Sequence, residues 1–251
     1  SGNFGEVRLG RELTAAYNAT ARYDVFGSVG IAQSRLWADG GVASATQVTT
    51  NQRVSNAVTY VSPNFSGFKV AVNYGFGEVA GNNGSSRYIG GGAMYDNGPL
   101  SLGLGVERLN KGVGANPNGN INTWSLGGSY DLGVAKLIAG YRQSTADDFA
   151  GVGIDNKLKG YTLAATAPVG PGLVKVAYDR YQNSLNGFSA KADQFSLGYV
   201  YSLSKRTSVY GTYAYLKNKD GAVVIPTLQS GATLKSNGGQ SGIQLGLTHA
   251  F

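Results

Sequence analysis

The side chains that most often do bond chemistry are scarce in this sequence. Its 251 residues include one histidine, His249, and no cysteine. A Ser–His–Asp arrangement needs a histidine base beside its nucleophile, and zinc sites are built largely from several histidine or cysteine ligands. His249 has no evident serine partner, and no G-x-x-x-x-G-K-[ST] loop for phosphates occurs. The residue types therefore predict that the protein is not an enzyme, and they indicate no metal ion or cofactor.

Charged side chains are the remaining candidates for function, and they are few and scattered. Lysine and arginine number 21 against 14 aspartates and glutamates, which gives a net charge of +7, and only 14% of the residues are charged. An ordinary soluble domain carries roughly 25%. No block of five or more basic residues occurs, so nucleic acid is not an expected partner. The low charge indicates that water does not cover the whole surface of the protein.

Alternation of apolar residues with small or polar ones predicts the elements that position these charges. In FKVAVNYGF, residues 68–76, every second side chain is apolar, and LSLGLGV at 100–106 alternates in the same way. A period of two indicates β-strands. The predicted strands, about twelve, lie near residues 4–12, 53–62, 68–76, 87–96, 100–109, 121–131, 135–143, 158–167, 173–182, 191–203, 206–217 and 240–251.

The connections between these strands are alternately short and long. No segment has a clear amphipathic helical pattern, and no apolar run approaches the roughly 18 residues of a transmembrane helix. Strands of about ten residues joined by alternating short turns and long loops are typical of outer-membrane β-barrels. The long polar connections fall near 13–52, 77–86, 110–120, 144–157, 183–190 and 218–239.

The second face of each predicted strand distinguishes this chain from a soluble β-sandwich. It carries glycine, serine, threonine, asparagine and alanine, while aromatic residues such as Tyr130 and Tyr178 lie near strand ends on the other face. This composition suits a water-filled lumen on one side and lipid on the other. The sequence therefore predicts a single domain, residues 1–251, folded as an all-β transmembrane antiparallel up-and-down β-barrel. The alternative is a soluble glycine-rich β-protein, which could be extracted without detergent.

Longer segments of the chain match, in the same order, those of a known family. They are SGNFGEVRLGR at 1–11, YDVFG at 23–27, RVSNAVTYVSPNFSGF at 53–68, RYIGGGAMYDNGPL at 87–100, SLSKRTSVYGTYAYLKNKD at 202–220 and the final GLTHAF. In these segments the chain resembles the trimeric general-diffusion porins of Gram-negative outer membranes, in particular a proteobacterial branch with anion-preferring members.

The resemblance implies more than the strand pattern does. The family barrel has 16 strands, and the twelve of this chain correspond to the fifth to the sixteenth, so the first four are expected to be absent. Residues 13–52 are expected to form a constriction loop folded inward, and Phe251 to end the closing strand and be read by the barrel-assembly machinery. The implied partners are outer-membrane lipid and lipopolysaccharide, two further copies in a homotrimer, and small anionic or neutral solutes.

Strand parity predicts which charges face the lumen. With Val7 and Leu9 pointing outward, Arg8 faces inward, and the same reasoning turns Arg53 inward on its own strand. The resemblance favours Arg53 as the constriction residue, since the family has an arginine in the matching NQRVSNA context. Further candidates on the wall are Lys69, Lys136, Arg142 and Lys175, and those on the constriction loop are Arg35, Asp24 and Asp39.

The expected function follows from an excess of basic residues in a narrow passage. Fixed positive charge raises the local concentration of anions. We therefore expect a porin, a passive channel of the bacterial outer membrane for ions and small hydrophilic solutes, leaning toward anions. The alternative is a secretion or translocator barrel, which would need a helix plugging the lumen.

Overall fold

Twelve strands form one antiparallel sheet in which each strand pairs with its neighbours in the sequence. The computed structural model describes residues 2–37, 50, 52–77, 85–110, 119–148, 153–220 and 237–250. Within these ranges β1 and β12 are the two edges of the sheet. The predicted all-β, up-and-down architecture of twelve strands is confirmed. The strands are β1 (Glu6–Leu13), β2 (Arg53–Val61), β3 (Phe68–Gly75), β4 (Tyr88–Asn97), β5 (Leu100–Asn110), β6 (Asn120–Asp131), β7 (Lys136–Ala146), β8 (Asn156–Val169), β9 (Gly172–Leu185), β10 (Phe188–Ser202), β11 (Thr207–Lys219) and β12 (Gly239–His249).

One connection that the sequence predicted to be long is a tight turn. Leu185 of β9 pairs with Phe188 of β10, so only Asn186 and Gly187 join the two strands. Both turn residues have positive φ, 47° and 78°, as a type I′ hairpin turn requires. The polar residues of the predicted loop at 183–190 therefore belong largely to the strands, and the Asn–Gly dipeptide was the signal for the turn.

The two faces of the sheet differ as the alternation predicted. On β5, Leu102, Leu104 and Val106 lie on one face with 43%, 43% and 51% of their surface exposed. We call this apolar face the outer face, because an exposed apolar band on a membrane barrel meets lipid. The opposite, inner face carries buried small polar side chains, among them Thr59, Asn73, Ser101, Thr123, Ser125, Ser144 and Thr162.

Residues 14–37, which follow β1, fold back onto the inner face, and we call them the inner segment. The segment contains α1 (Ala15–Thr20) and a short 3-10 turn (Ala21–Tyr23), neither of which the sequence predicted. Leu36 and Trp37 are buried between the segment and the wall, so the core lies inside the curve of the sheet. No helix in the described ranges is long and apolar enough to cross a membrane.

Candidate functional site

The inner segment begins with a helix that is fixed to the wall at its first turn. The hydroxyl of Thr14 accepts a hydrogen bond from the N–H of Tyr17 (3.1 Å) and caps α1. The N–H of Ala15 donates to Oδ1 of Asn73 on β3 (2.9 Å), and Nδ2 of Asn73 donates to the carbonyl oxygen of Leu13 (3.3 Å). Asn73 therefore holds the point at which the chain leaves β1 and turns inward.

Glycines at inner-face positions allow the segment to approach the wall closely. A Cβ atom on Gly92 would overlap the carbonyl oxygen of Ala15, and one on Gly103 would overlap that of Ala19. Backbone atoms cannot rotate away, so a side chain at either position would displace α1. We call the glycines that the segment contacts the wall glycines: Gly92, Gly103, Gly105, Gly127, Gly140, Gly160 and Gly198.

Buried hydroxyls and rings continue the attachment along the segment. The hydroxyl of Thr20 donates to the carbonyl oxygen of Ala16 (3.0 Å) and accepts from Nε1 of Trp37 (3.1 Å). Its remaining acceptor site takes the hydroxyl hydrogen of Ser125 on β6, with the oxygens 2.9 Å apart. Because all of these polar groups are buried and partnered, the segment can lie in the interior without the cost of unpaired donors and acceptors.

Arg142 anchors the far end of the segment through a buried ion pair. Its Nη1 donates to the carbonyl oxygen of Leu36 (2.6 Å), while Nη2 donates to Oγ1 of Thr50 (2.8 Å) and to Oε1 of Glu107 (3.0 Å). The side chains of Arg142 and Glu107 are only 7% and 3% exposed, and the hydroxyl of Tyr88 donates to Oε2 of Glu107 (2.8 Å). The prediction that Arg142 lies on the inner face is correct, but its charge is neutralised by Glu107 and not open to the passage.

Asp24 also has a different position from the one predicted. Its carboxylate accepts hydrogen bonds from the N–H groups of Phe26 (2.9 Å), Ser28 (3.0 Å) and Ser34 (2.8 Å) and so closes a compact turn. The side chain is buried. Burial raises the pKa of the Asp24 carboxyl, and the backbone hydrogen bonds oppose that rise. Asp24 therefore organises the segment and does not line a passage.

Strand β9 holds this turn against the wall. Nζ of Lys175 donates to the carbonyl oxygen of Val25 (2.8 Å), and the hydroxyl of Ser34 donates to Oδ1 of Asp179 (2.6 Å). The hydroxyl of Tyr181 accepts from the backbone N–H of Arg35 (3.0 Å). Lys175 is on the inner face, as predicted, and its ammonium group binds the inner segment.

Arg8 lies on the inner face of β1 between two carboxylates. It is paired in register with Thr59, which is buried on the inner face. One guanidinium nitrogen lies 2.8 Å from the carboxylate of Glu6, and the other lies 3.7 Å from that of Glu12. The strand-parity prediction for Arg8 therefore gives the correct face, but the guanidinium does not add an isolated positive charge.

Two of the predicted lysines form no ion pair in the described part of the chain. Lys69 and Lys136 occupy exposed inner-face positions near the short turns. Close by, the guanidinium of Arg22 makes two hydrogen bonds of 2.9 Å to the carboxylate of Asp96. Lys69 and Lys136 are therefore the predicted wall cations that form no ion pair there, although Asp96 lies within electrostatic range of Lys136.

A bulge in β2 reverses the predicted orientation of Arg53. Asn56 has φ +49°, and the register between β1 and β2 shifts between Gly10 and Glu12. An extra residue in one strand moves the side chains beyond it to the other face. Val54 therefore joins a buried inner cluster, while Arg53 takes the alternate, exposed position. The parity argument is wrong at this residue, and only the family context still supports Arg53.

Two of the predicted residues, Asp39 and Phe251, lie outside the described residues. Sequence reasoning missed most of the groups that hold the segment, including Thr20, Tyr88 and the wall glycines. Glycine at alternating inner positions of β4 and β5 was the available signal. In the described ranges no three His, Asp or Glu side chains are grouped as a metal site. The arrangement can narrow a passage and set its charge.

Comparison with known proteins gives relatives that share both sequence and fold. A family model described as Gram-negative porin matches residues 1–221. Outer membrane porin protein 32 of Delftia acidovorans is 40% identical over 262 residues, which cover 100% of this chain and 72% of the relative. An outer membrane porin protein of Bordetella pertussis is 30% identical, over 87% of this chain and 64% of that protein. An anion-selective porin from Comamonas acidovorans has a TM-score of 0.85 and 37% identity, covering 100% of this chain and 76% of that structure.

Proposed function

Because this chain belongs to the Gram-negative porin family, we propose that residues 13–52 are the constriction loop of its passive diffusion channel. The protein is an outer-membrane porin. The observation that carries the proposal is the attachment of the inner segment to the inner face by the wall glycines and by Arg142. A chain segment held inside the curve of the wall reduces the width of whatever passage the wall encloses.

The proposed selectivity is for anions. The Comamonas acidovorans relative is described as anion-selective, and Lys69 and Lys136 place positive charge on the inner face without an ion pair in the described part of the chain. Arg35 adds a guanidinium on the inner segment itself, whereas Arg53 points away from the inner face. Arg8, Arg22, Arg142 and Lys175 contribute less, because each is bonded to a carboxylate or to the inner segment.

The partners proposed for the channel follow from the family. We propose a homotrimer in the outer membrane, in contact with its lipid and lipopolysaccharide, that passes small anionic or neutral solutes. Phe251 is proposed as the residue that the barrel-assembly machinery reads. Removing Phe251 should then reduce insertion into the outer membrane, measured by membrane fractionation.

Single-channel recording in a planar bilayer under a salt gradient tests both the channel and its charge. We expect stepwise ohmic openings and a reversal potential of anionic sign. Replacing Lys69, Lys136 or Arg35 with Glu one at a time should lower the anion-to-cation permeability ratio by about twofold to fivefold, since a unit charge near the ion path is worth on the order of 1 kcal/mol.

The control is Lys205→Glu, which makes the same change of charge in a short turn outside the inner face. This control variant should not change the reversal potential. Openings with an unchanged reversal potential in all three variants would keep the channel and contradict the assignment of charges. The absence of openings in the unmodified protein would contradict the channel itself.

A further inference from the structure

A small cavity lies between the inner segment and the inner face of strands β9 to β12. Its volume is about 280 Å³. Phe26, Val29 and Ala32 of the inner segment form one side of the cavity, which we call the roof. The strands form the other side, which we call the floor. The lysines that carry the proposed selectivity, Lys69 and Lys136, do not line the cavity, so it is separate from those charges.

Strand register explains why the floor has a depression. Across the sheet, Lys175 on β9 is paired with Gly198 on β10, which is paired with Thr212 on β11, which is paired with Gln244 on β12. Gly198 has no side chain, and the ring of Phe26 occupies the space above it, because a Cβ atom there would lie 2.8 Å from Cε1 of that ring. The row therefore has polar side chains on both sides of a gap that an aromatic ring partly fills.

Hydrogen bonds fasten the roof to the floor on two sides of the cavity. Oε1 of Gln244 accepts a hydrogen bond from the N–H of Ile31 (3.1 Å), and Nε2 of the same amide donates to the hydroxyl of Tyr210 (3.3 Å). On the other side, Nζ of Lys175 donates to the carbonyl oxygen of Val25 (2.8 Å). Sites for small molecules are usually preformed cavities with a few placed polar groups, and this cavity is built in that way.

Three hydroxyl groups of the floor have no hydrogen-bond partner within the described part of the chain. Thr212 is paired with Gln244, and Ser208 is paired with Thr248 closer to the short turns. Each hydroxyl offers one donor and two acceptor sites, so it matches a ligand that itself carries hydroxyls. Thr212 and Ser208 lie four residues apart on β11, which is about 13 Å along a strand. The unpartnered hydroxyls therefore lie at both ends of an elongated cavity.

The rest of the lining is largely apolar or aromatic. Phe26 and Val29 contribute from the roof, and Val200 and Tyr210 contribute from the floor. The ring of Tyr210 lies against the backbone of Gly246, where a Cβ atom would overlap it. A sugar ring presents C–H groups on its faces and hydroxyls around its edge. Apolar and aromatic walls with hydroxyls at the two ends are complementary to that distribution.

The charge in the lining is already compensated. Among the described residues that line the cavity, Lys175 alone is charged. Its ammonium group donates to the carbonyl oxygen of Val25 and lies within electrostatic range of the buried carboxylate of Asp24. Nζ also lies 5.9 Å from the centroid of the Phe26 ring. Because the carboxylate of an anionic ligand can only accept hydrogen bonds, hydroxyls and a compensated lysine suit a neutral ligand better.

We propose that this cavity is a binding site for a neutral saccharide of two rings. The sugar hydroxyls bind Ser208, Thr212 and Thr248, and the faces of the rings pack against Phe26 and Tyr210. The volume of the cavity is close to the lower end of the range for sites of drug-sized ligands. The role of the site rests on the proposed channel, because a solute reaches the cavity through the passage.

Saturation-transfer difference NMR with cellobiose, an extended sugar of two rings, measures binding without relying on conduction. The folded full-length protein is kept in micelles of a deuterated phosphocholine detergent, which carries no sugar. We expect a dissociation constant on the order of 1 mM, because the contacts are few and neutral. Glucose should bind about fivefold more weakly, since one ring reaches the hydroxyls at only one end of the cavity.

A comparison of glucose with glucuronate tests whether the ligand is neutral. The two sugars have one ring each and differ by one carboxylate. At about 0.5 M salt the general attraction of a basic inner face for anions is largely screened. We expect glucuronate to bind no more tightly than glucose under this condition, because the charge of Lys175 is compensated.

Variants of single hydroxyls test the residues. Thr212→Val and Ser208→Ala should each raise the dissociation constant for cellobiose about threefold to tenfold, and Thr212→Ser should retain binding. The matched control is Thr166→Val, because Thr166 is paired with Lys175 in the same row but does not line the cavity. This control should leave the dissociation constant unchanged. Folding of each variant is checked by its resistance to denaturation in detergent before heating.

Several results would overturn the proposal. The absence of saturation transfer to cellobiose would do so, and so would binding that both Thr212→Val and Ser208→Ala leave unchanged or that Thr166→Val weakens equally. Glucuronate bound about tenfold more tightly than glucose would assign the cavity to anions. Glucose bound as tightly as cellobiose would contradict the assignment to two rings.

The channel and the saccharide site can fail separately. Binding of cellobiose by a protein that shows no openings in planar bilayers would support the site and contradict the channel. Openings of a protein that does not bind cellobiose would support the channel and contradict the site.

Discussion

At the scale of single residues, the ion pair of Arg142 and Glu107 shows that a cation on the inner wall is not always a cation in the passage. Each charge loses several kcal/mol of hydration on burial, and their attraction offsets this only while both are present. Arg22 and Asp96 form a pair of the same chemistry with side chains 39% and 50% exposed. Comparing the two arginine–carboxylate pairs therefore separates the effect of burial from the effect of charge.

We expect Glu107→Gln to reduce the free energy of unfolding by about 3–5 kcal/mol, because it leaves the Arg142 guanidinium buried without its counter-charge. Asp96→Asn makes the same carboxylate-to-amide change in the exposed pair and should cost no more than about 1 kcal/mol. Urea unfolding of the protein in detergent micelles, followed by tryptophan fluorescence, measures both. Equal losses in the two variants would contradict the anchoring role of the buried pair.

At the scale of elements, the wall glycines and α1 depend on each other. A six-residue helix is too short to be stable alone in water, so its stability has to come from the wall. The wall in turn accepts backbone atoms of the helix only where no Cβ intervenes. The neighbouring residues Gly91 and Gly92 on β4 allow the close contact with α1 to be tested with a matched control. A Cβ on Gly92 would overlap Ala15, whereas one on Gly91 would meet its nearest neighbour, the oxygen of Ala71, at 3.7 Å.

Gly92→Ala should therefore displace α1 from the wall, and Gly91→Ala should not. We expect the first substitution to cost about 1–3 kcal/mol of stability through overpacking and to change the single-channel conductance. Gly91→Ala should leave the stability and the conductance close to those of the unmodified protein. Conductance is measured in planar bilayers, and stability by urea unfolding. If Gly92→Ala behaves like Gly91→Ala, the inner segment does not depend on this close contact.

At the scale of the whole molecule, one face of the sheet is suited to lipid and the other to water. Apolar residues such as Leu104 face outward in the middle of the strands, while polar groups and the inner segment fill the inner face. Positive charge is also divided between the faces. On β8 to β11 the outer face carries six basic residues that the sequence analysis did not assign to the lumen: Lys157, Lys159, Arg180, Lys191, Lys217 and Lys219. Net charge alone therefore does not give the charge of the passage.

The depth of the apolar band can be measured with lysine substitutions on the outer face. Leu104 lies in the middle of β5, and Leu137 lies at the short-turn end of β7. Leu104→Lys should cost about 2–4 kcal/mol and Leu137→Lys no more than about 1 kcal/mol, because a charge near the interface can reach water. Urea unfolding in lipid vesicles measures the two costs. A greater loss of stability for Leu137→Lys than for Leu104→Lys would show that the apolar band is not centred near Leu104.

The sequence predicted the elements better than the contacts between them. All twelve strands follow from alternation, since apolar and polar residues occupy opposite faces over long stretches. The turn at Asn186 and Gly187 was missed because polar residues on both sides of it resemble a loop. The helix α1 was missed because six residues are too few to show a helical period. Arg53 was assigned to the wrong face because the bulge at Asn56 changes parity without changing composition.

By itself the sequence determined the class of fold and the two faces of each strand, since these depend on residue type and on a period of two. Only the tertiary structure decided which charges are neutralised and which remain available. Arg142 meets Glu107 from two strands away, and Lys159, Lys191 and Lys219 align across four strands. Such contacts depend on the register of every strand pair between the partners, and no single strand carries that register in its own pattern.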